Sequence, residues 1–408
     1  MINNYSISNF KIHKNEYSFN LKGLTIVTGT NNSGKSSLTQ SLRLLSQINA
    51  NSKDYPRLPF EQIAELKDFK SVLNKDVSRN ESITYKFSLE VDGFEFCNVE
   101  LEFNSILNYN FAFKDTSDQA VLKRVDIYYS KDNKIKNYEF YINDREPNIV
   151  TYDLYEIFNN NTDDKELVQK EILIKGLNIS FMPEKLTEDS KNLFIICNKL
   201  TNIDITSIIY VPAFRNANMN ELANLIDKYR DITIFDGKTK MVDAFNYWTN
   251  KILDSDFKIK TENNIKKIVA VENNIEFDLC QIGFGNQQIL PIIVEILGSE
   301  KGDHVIIENP EVHLHPKWKT NLVDLFYYAV ENGINILVET QSMEIVNRIR
   351  LKVKQDNSLK DKTSLYFFKK NEFECIVQNI EIEESGNLDS WPDDFVDKVT
   401  IEDSFELM

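Results

Sequence analysis

Hydrophobic positions along the chain follow two periods, and the changes between them mark out the elements. Leu24-Thr25-Ile26-Val27-Thr28 is a short, nearly apolar run, the mark of a buried strand. Leu38, Leu42, Leu45 and Ile48 then recur at helical spacing. Residues 82–89 alternate polar and apolar with period two, which predicts a half-buried strand. Short strands are also expected at 138–142 and 172–174, with a polar loop at 159–164. Residues 96–260 carry no repeat and no sustained heptad, so a long coiled coil is not expected.

The pattern sharpens toward the C-terminus. Ser207-Ile208-Ile209-Tyr210-Val211 is a short apolar strand stopped by Pro212. Residues 267–271 and 275–277 read as paired strands across Glu272-Asn273-Asn274. Ile289, Leu290, Ile293, Ile296 and Leu297 predict a helix after Gly285. His304-Val305-Ile306-Ile307-Glu308 is a buried strand ending in a carboxylate, and Pro316 opens a helix. Residues 334–339 form the next strand, and Thr340-Gln341-Ser342 turns into a further helix. Strand–helix alternation of this kind predicts a largely parallel sheet covered on both faces.

One loop carries chemistry. Gly29-Thr30-Asn31-Asn32-Ser33-Gly34-Lys35-Ser36 matches G-x-x-x-x-G-K-[ST], between the strand at 24–28 and the helix at 38–48. Its glycines let backbone N–H groups turn toward an anion, and the helix N-terminus adds a favourable dipole. Asn31, Asn32, Ser33, Gly34, Lys35, Ser36 and Ser37 are the expected nucleotide-binding residues. Lys35 is placed for the β- and γ-phosphates and Ser36 for Mg²⁺. Such a site needs an acid at a second strand end, and Glu308 supplies it as a metal and catalytic candidate. His313 and His315, with no further His or Cys nearby, make a poor zinc site.

Bulk properties narrow the class. Hydrophobic content of 42% and charged content of 27% describe a globular chain. No apolar run approaches the roughly 20 residues that span a bilayer, and Met1 to Phe10 lacks a signal-peptide core. No membrane partner is expected. Cys97, Cys197, Cys280 and Cys375 form no C-x-x-C pair, which predicts a reduced, cytoplasmic compartment. The net charge is −16, yet residues 371–408 hold twelve acids and one base, Lys398. The acidity therefore sits in the tail and says little against nucleic-acid binding elsewhere, while no basic run argues for it.

Ile307-Glu308-Asn309-Pro310-Glu311-Val312-His313-Leu314-His315-Pro316 resembles the extended Walker B segment of ABC-type ATPases in the SMC and OLD-like branch. Asn9-Phe10-Lys11 fits the same branch, the segment Ile282-Gly283-Phe284-Gly285-Asn286-Gln287-Gln288-Ile289-Leu290-Pro291 resembles its signature helix, and Tyr210-Val211-Pro212-Ala213-Phe214-Arg215 resembles its strand-end Pro–Arg motif. The stretch 386–397, with Trp391-Pro392 and Phe395, resembles the small C-terminal module of bacterial members. The resemblance implies an α/β P-loop NTPase fold of ABC/SMC-head type, with a mixed sheet, a divergent α+β insertion and a small C-terminal module. The expected domains are ATPase lobe I at 1–95, the insertion at 96–205, lobe II at 206–365 and the acidic module at 366–408.

The same resemblance implies a mechanism. ATP would bind between the P-loop of one subunit and the signature segment of another. The expected partner is therefore a second copy, as a homodimer or higher homo-oligomer. Gly283, Gly285 and Gln287 would contact the nucleotide across that interface, and Lys11, after the first strand, is the candidate adenine contact. Members of this branch sit in antiphage defence or DNA maintenance, often with a separate effector such as a nuclease. Nucleic acid stays open as a partner.

Three positions depart from the pattern. The glutamate that usually follows the Walker B acid is Asn309, which cannot act as a base; Glu311 is the expected replacement. The switch histidine falls on Gln341, and the signature serine on Gln287. Together they predict slow hydrolysis, and they leave a second reading open: an ATP-locked scaffold that holds a partner. A transporter ATPase subunit fits less well, given the SMC-like signature and the divergent middle. Tyr327-Tyr328 and Tyr366-Phe367-Phe368 read as core packing, Trp391 as an anchor, and Arg348 and Arg350 as surface positions on a helix.

Overall fold

The structure is a computed structural model that describes residues 2–48, 55–63, 66–111, 118–146, 149–158, 163–183, 187–201, 208–215, 219–263, 265–272, 275–279, 283–371 and 374–392. Part of the expected turn (273–274), most of the polar loop (159–162), Ile282, Cys280 and the tail from 393, including Phe395, lie outside the described residues. The chain divides into two units. One comprises Met1–Asn20, Ser36–Ser207 and Lys370–Ile376; the other comprises Leu21–Lys35, Ile208–Lys369 and Val377–Met408.

The second unit is built on a sheet whose strands lie in the order Ile208–Val211, His304–Glu308, Asn335–Glu339, Leu24–Gly29, Thr363–Asn371, Glu374–Ile380. The first five run parallel, as the strand–helix alternation predicts. Val305, Ile306, Ile307, Ile336, Val338, Leu24 and Ile26 are all buried, which is why these strands read as continuous apolar runs. The register sets Glu308 beside Glu339 and Glu339 beside Val27. Three strands thus end at one level, the carboxyl edge where open α/β sheets bind ligands.

Helices Met241–Leu253, Phe284–Leu297, Pro316–Glu331 and Met343–Gln355 contribute Phe245, Trp248, Ile289, Ile293, Leu322, Phe326, Ile345 and Ile349 to one core with these strands. Pro316 does open its helix, where its missing N–H costs nothing, and the His315 ring accepts the Lys317 N–H at 3.3 Å as the cap. Ile265–Glu272 pairs antiparallel with Asp256–Glu262 and with Ile275–Asp278, the second of these as predicted. Tyr327, Tyr366, Phe367 and Phe368 are buried core residues.

The first unit holds an eight-stranded antiparallel sheet in the order Tyr17–Asn20, Ile2–Ser8, Ile83–Leu89, Phe96–Ser105, Ala120–Lys131, Lys134–Asn143, Thr151–Ile157, Lys165–Ile172. Ile83–Leu89 alternates buried and half-buried positions along its whole length, the period-two pattern of its sequence. Helix Lys35–Ser46 turns Leu38, Leu42 and Leu45 inward, and Ser41 Oγ lies 2.7 Å from the Tyr5 hydroxyl. Tyr5, Tyr85 and Phe103 pack edge to face, with ring centroids 6.4 and 5.7 Å apart. Cys97, Cys197 and Cys375 are buried.

Candidate functional site

The phosphate loop leaves the strand Leu24–Gly29 in a conformation that only glycine takes easily. Gly29 has φ +134°, and a Cβ there would lie 2.0 Å from the Phe368 carbonyl oxygen of the neighbouring strand. Asn32 and Gly34, at φ 58° and 106°, curl the backbone further. The Ser33 hydroxyl donates to the Thr30 carbonyl at 2.7 Å. Lys35 is only 4% exposed, and its ammonium donates to the Gly29 and Thr30 carbonyls at 2.9 and 2.6 Å. Asn31 and Asn32 face solvent. The first turn of helix Lys35–Ser46 contains no acid, so no side-chain carboxylate competes for the positive end of its dipole.

The second-strand acids have distinct partners. Glu308 Oε2 accepts the Tyr210 hydroxyl at 2.8 Å. Asn309 follows with a left-handed backbone, φ 41°, and its N–H donates to the Glu339 carbonyl at 2.7 Å. Asn tolerates that conformation better than Glu, which gives a local reason for the departure noted in the sequence. Two residues on, Glu311 turns to the switch segment. Its Oε2 accepts the Thr340 hydroxyl and its Oε1 accepts the Gln341 N–H, both at 2.8 Å. Gln341 Nε2 in turn donates to Asn31 Oδ1 of the phosphate loop at 2.8 Å. Glu311, the switch turn and the phosphate loop are therefore one hydrogen-bonded chain.

A third segment is the glycine-rich entry to helix Phe284–Leu297. Gly283 is its exposed N-terminal cap, with no side chain to cover the first N–H groups. Gly285 has a packing reason of its own: a Cβ there would come within 2.8 Å of the His313 carbonyl oxygen and 2.9 Å of the Trp318 ring. Gln287 bonds back to the Leu279 carbonyl at 3.1 Å. Gln288 is buried and makes a reciprocal amide pair with the Arg215 backbone, accepting its N–H at 3.2 Å and donating to its carbonyl at 3.1 Å. Phe214 and Phe284 are 65% and 45% exposed and lie 6.4 Å apart; Phe284 meets the His313 ring edge-on at 5.1 Å.

Arg215 is 3% exposed, and its Nη2 donates to the Glu308 and Asn309 carbonyls, each at 3.0 Å. Burial pushes its guanidinium down to about 10, with the charge of Glu311 acting the other way, so it stays cationic at neutral pH. Sequence reasoning noted the Pro–Arg segment but gave Arg215 and Gln288 no task. Their signal was present, since both sit inside the quoted motifs.

Asn31, Glu311 and Gln341 are thus joined directly. Glu308 is joined to them through the backbone at Asn309 and Pro310. Lys11, Ser36 and Ser37 belong to the first unit. Lys11 sits at φ 51°, with its ammonium donating to Gln40 Oε1 at 2.5 Å. Arg348 and Arg350 are not plain surface positions. Arg348 pairs with both Asp324 oxygens at 3.0 and 3.2 Å; Arg350 donates to the Gly386 carbonyl at 2.8 Å and lies 4.9 Å above the Trp391 ring. Among the described residues, no cluster of His, Cys, Asp and Glu could by itself hold a metal, and no helix is long and apolar enough to cross a membrane.

The family described as "AAA ATPase domain" matches residues 1–346, and one described as "Protein of unknown function (DUF3696)" matches residues 360–402. No curated protein matches. Among solved structures, the SMC head domain from Thermotoga maritima is 10% identical, with 93% of this chain and 99% of that chain covered and a TM-score of 0.46. An SmcHead bound to the C-winged helix domain of ScpA is 10% identical, with 94% and 98% covered and a TM-score of 0.49. An Smc head domain bound to the C-terminal domain of ScpA, derived from Pyrococcus furiosus, gives 9%, 99% and 99%, and 0.44.

Proposed function

The chain belongs to the AAA ATPase domain family, and we propose that it is an ATP-driven switch that hydrolyses ATP slowly and closes as a dimer on bound nucleotide. The observation that carries this reading is the chain from Glu311 through Gln341 to Asn31. It ties the acid best placed to handle water to the loop built for phosphates.

The residues divide the work as follows. Lys35 and the phosphate loop hold the β- and γ-phosphates of the substrate ATP. Gln341 hydrogen-bonds the γ-phosphate. Glu311 orients and polarises the attacking water, with its carboxylate fixed by Thr340 and by the Gln341 N–H. Glu308 is a hard oxygen donor of the type Mg²⁺ selects, and the Tyr210 hydroxyl fixes the carboxylate that would hold the ion. Mg²⁺, when bound, offsets negative charge on the phosphates.

Gly283 and Gly285 present the signature helix to the nucleotide of a second copy. The exposed Phe214, Phe284 and His313 group beside Gly283 supports this reading, because such an aromatic patch suits burial in an interface. ATP would then bind the closed dimer better than the open one and shift the population toward it. The motif resemblance further supports a role in antiphage defence or DNA maintenance through a separate effector, such as a nuclease. Degradation of DNA by the purified chain alone would contradict a separate nuclease.

A second reading, the ATP-locked scaffold, is favoured by Asn309 and by the engagement of both Glu311 oxygens. Sizing of the Glu311→Gln chain with and without ATP tests the switch. ATP-dependent dimerisation that persists while wild-type protein returns to monomer as it consumes ATP supports it. Dimerisation independent of nucleotide contradicts it.

A further inference from the structure

Arg215 stands between the two halves of this site. Its backbone is held by Gln288, in the helix Phe284–Leu297 that Gly283 caps, and its side chain holds the Walker B strand end. Two hydrogen-bonded steps therefore join the signature helix to Glu308 and Asn309. We propose that Arg215 and Gln288 form a relay that passes the position of the signature helix to Glu308, Asn309 and thence Glu311, making Arg215 a positioning residue for hydrolysis. The inference rests on the ATPase reading above and adds to it the route by which nucleotide bound across the interface sets the water-handling acid.

Three features support a relay over a plain packing role. The Gln288–Arg215 pair is reciprocal and buried, so a shift of the helix entry moves the Arg215 backbone with it. One nitrogen, Nη2, serves both the Glu308 and Asn309 carbonyls, so the side chain grips the two residues that precede Pro310 and Glu311. Among the described residues, Nε and Nη1 of the same guanidinium are buried and meet no hydrogen-bond partner. Buried donors are almost always paired, and a guanidinium held by only one of its nitrogens has bonding capacity left for a second arrangement. The anion whose charge it feels is Glu311. A two-arrangement element biased by ligand is what coupling between sites requires.

The test uses the full chain and four variants: Arg215→Ala, Arg215→Lys, Gln288→Ala and the Arg215→Ala/Gln288→Ala double. Steady-state ATP hydrolysis gives kcat and KM, a fluorescent ATP analogue gives affinity, and thermal melting reports folding. Each alanine variant is expected to lower kcat about tenfold or more with KM and analogue affinity within about twofold. The double variant should fall no further than the worse single, because the two residues act in series. Arg215→Lys should recover part of the loss, since an ammonium can still reach carbonyl oxygens. If Arg215→Ala does not fold, Arg215→Lys and Gln288→Ala carry the test. Unchanged kcat in Gln288→Ala, losses that multiply in the double, or a raised KM at constant kcat overturn the relay alone. A wild-type chain without turnover overturns the ATPase reading and the relay with it.

Discussion

The backbone N–H of Gln341 donates to the Glu311 carboxylate at 2.8 Å, while the Gln341 side chain reaches Asn31 at the same distance. Gln341 thus faces the acid with its main chain and the phosphate loop with its amide. Glu311, whose other oxygen takes the Thr340 hydroxyl, has little freedom to rotate. A carboxylate oxygen can accept more than one hydrogen bond, so this arrangement orients the group and still leaves it able to accept from water.

Replacing Glu311 by Gln keeps the shape and removes the charge. Turnover should fall about tenfold to a hundredfold while ATP affinity stays within about twofold, because phosphate positioning and water handling use different groups. Steady-state kinetics and a nucleotide titration check both halves. A Kd that rises in step with the loss of kcat would show that Glu311 serves binding instead.

Lys35→Ala removes the ammonium that the loop carbonyls hold in place. A charge-assisted hydrogen bond contributes about 1.5–3 kcal/mol, so the ATP Kd should rise about tenfold or more. Titration with a fluorescent ATP analogue measures it, and an unchanged Kd would remove the phosphate loop from the site.

Asn309→Glu restores the acid that the family pattern places after Glu308, at a residue with φ 41°. A left-handed glutamate costs about 1 kcal/mol or more. The expected outcome is a lower midpoint in denaturant and no gain in kcat beyond about twofold. A large gain in turnover would mean that Asn309, and not the geometry around Glu311, limits hydrolysis.

Gly29→Ala places a Cβ 2.0 Å from the Phe368 carbonyl oxygen at φ +134°. The backbone conformation alone costs about 1–3 kcal/mol, and the overlap adds to it. Chemical denaturation should show the loss, together with weaker ATP binding as the loop shifts.

His304 gives a pH signature. It is buried at the start of its strand, Nε2 meets no hydrogen-bond partner among the described residues, and burial lowers its pKa from 6.5 to about 4. Above pH 6.5 the imidazole is neutral in both folded and unfolded chains, so it adds no dependence. Below that, the unfolded chain takes up a proton that the folded chain refuses until about pH 4. Stability from this group therefore falls as pH drops from 6.5 to about 4, by roughly 3 kcal/mol in total, and is level below. The wild-type stability curve minus that of His304→Leu should show this slope; parallel curves would contradict it.

Much of the second unit was legible because its strands are buried on both faces and end in turn residues. His304–Glu308 and Asn335–Glu339 announce themselves as apolar runs, and the loop after Gly29 carries its own motif. Side-chain pairings were less legible. Nothing in one dimension says that Glu311 selects Thr340 and Gln341, because strand order, not sequence distance, brings them together. Gln287 drew notice by its place in the signature pattern, while Gln288, which carries the buried link to Arg215, differs from it only in the face of the helix it occupies. The eight-stranded sheet was the least visible part: two of its strands, Ala120–Lys131 and Lys165–Ile172, are rich in charged residues that break the apolar alternation.

The most direct test of the account is steady-state ATP hydrolysis by the purified chain, with and without duplex DNA, beside Lys35→Ala and Glu311→Gln. The account predicts slow turnover that each substitution lowers about tenfold or more, with ATP still bound by Glu311→Gln. ATP binding by the wild-type chain with no phosphate release under either condition would contradict the switch and leave a nucleotide-locked scaffold.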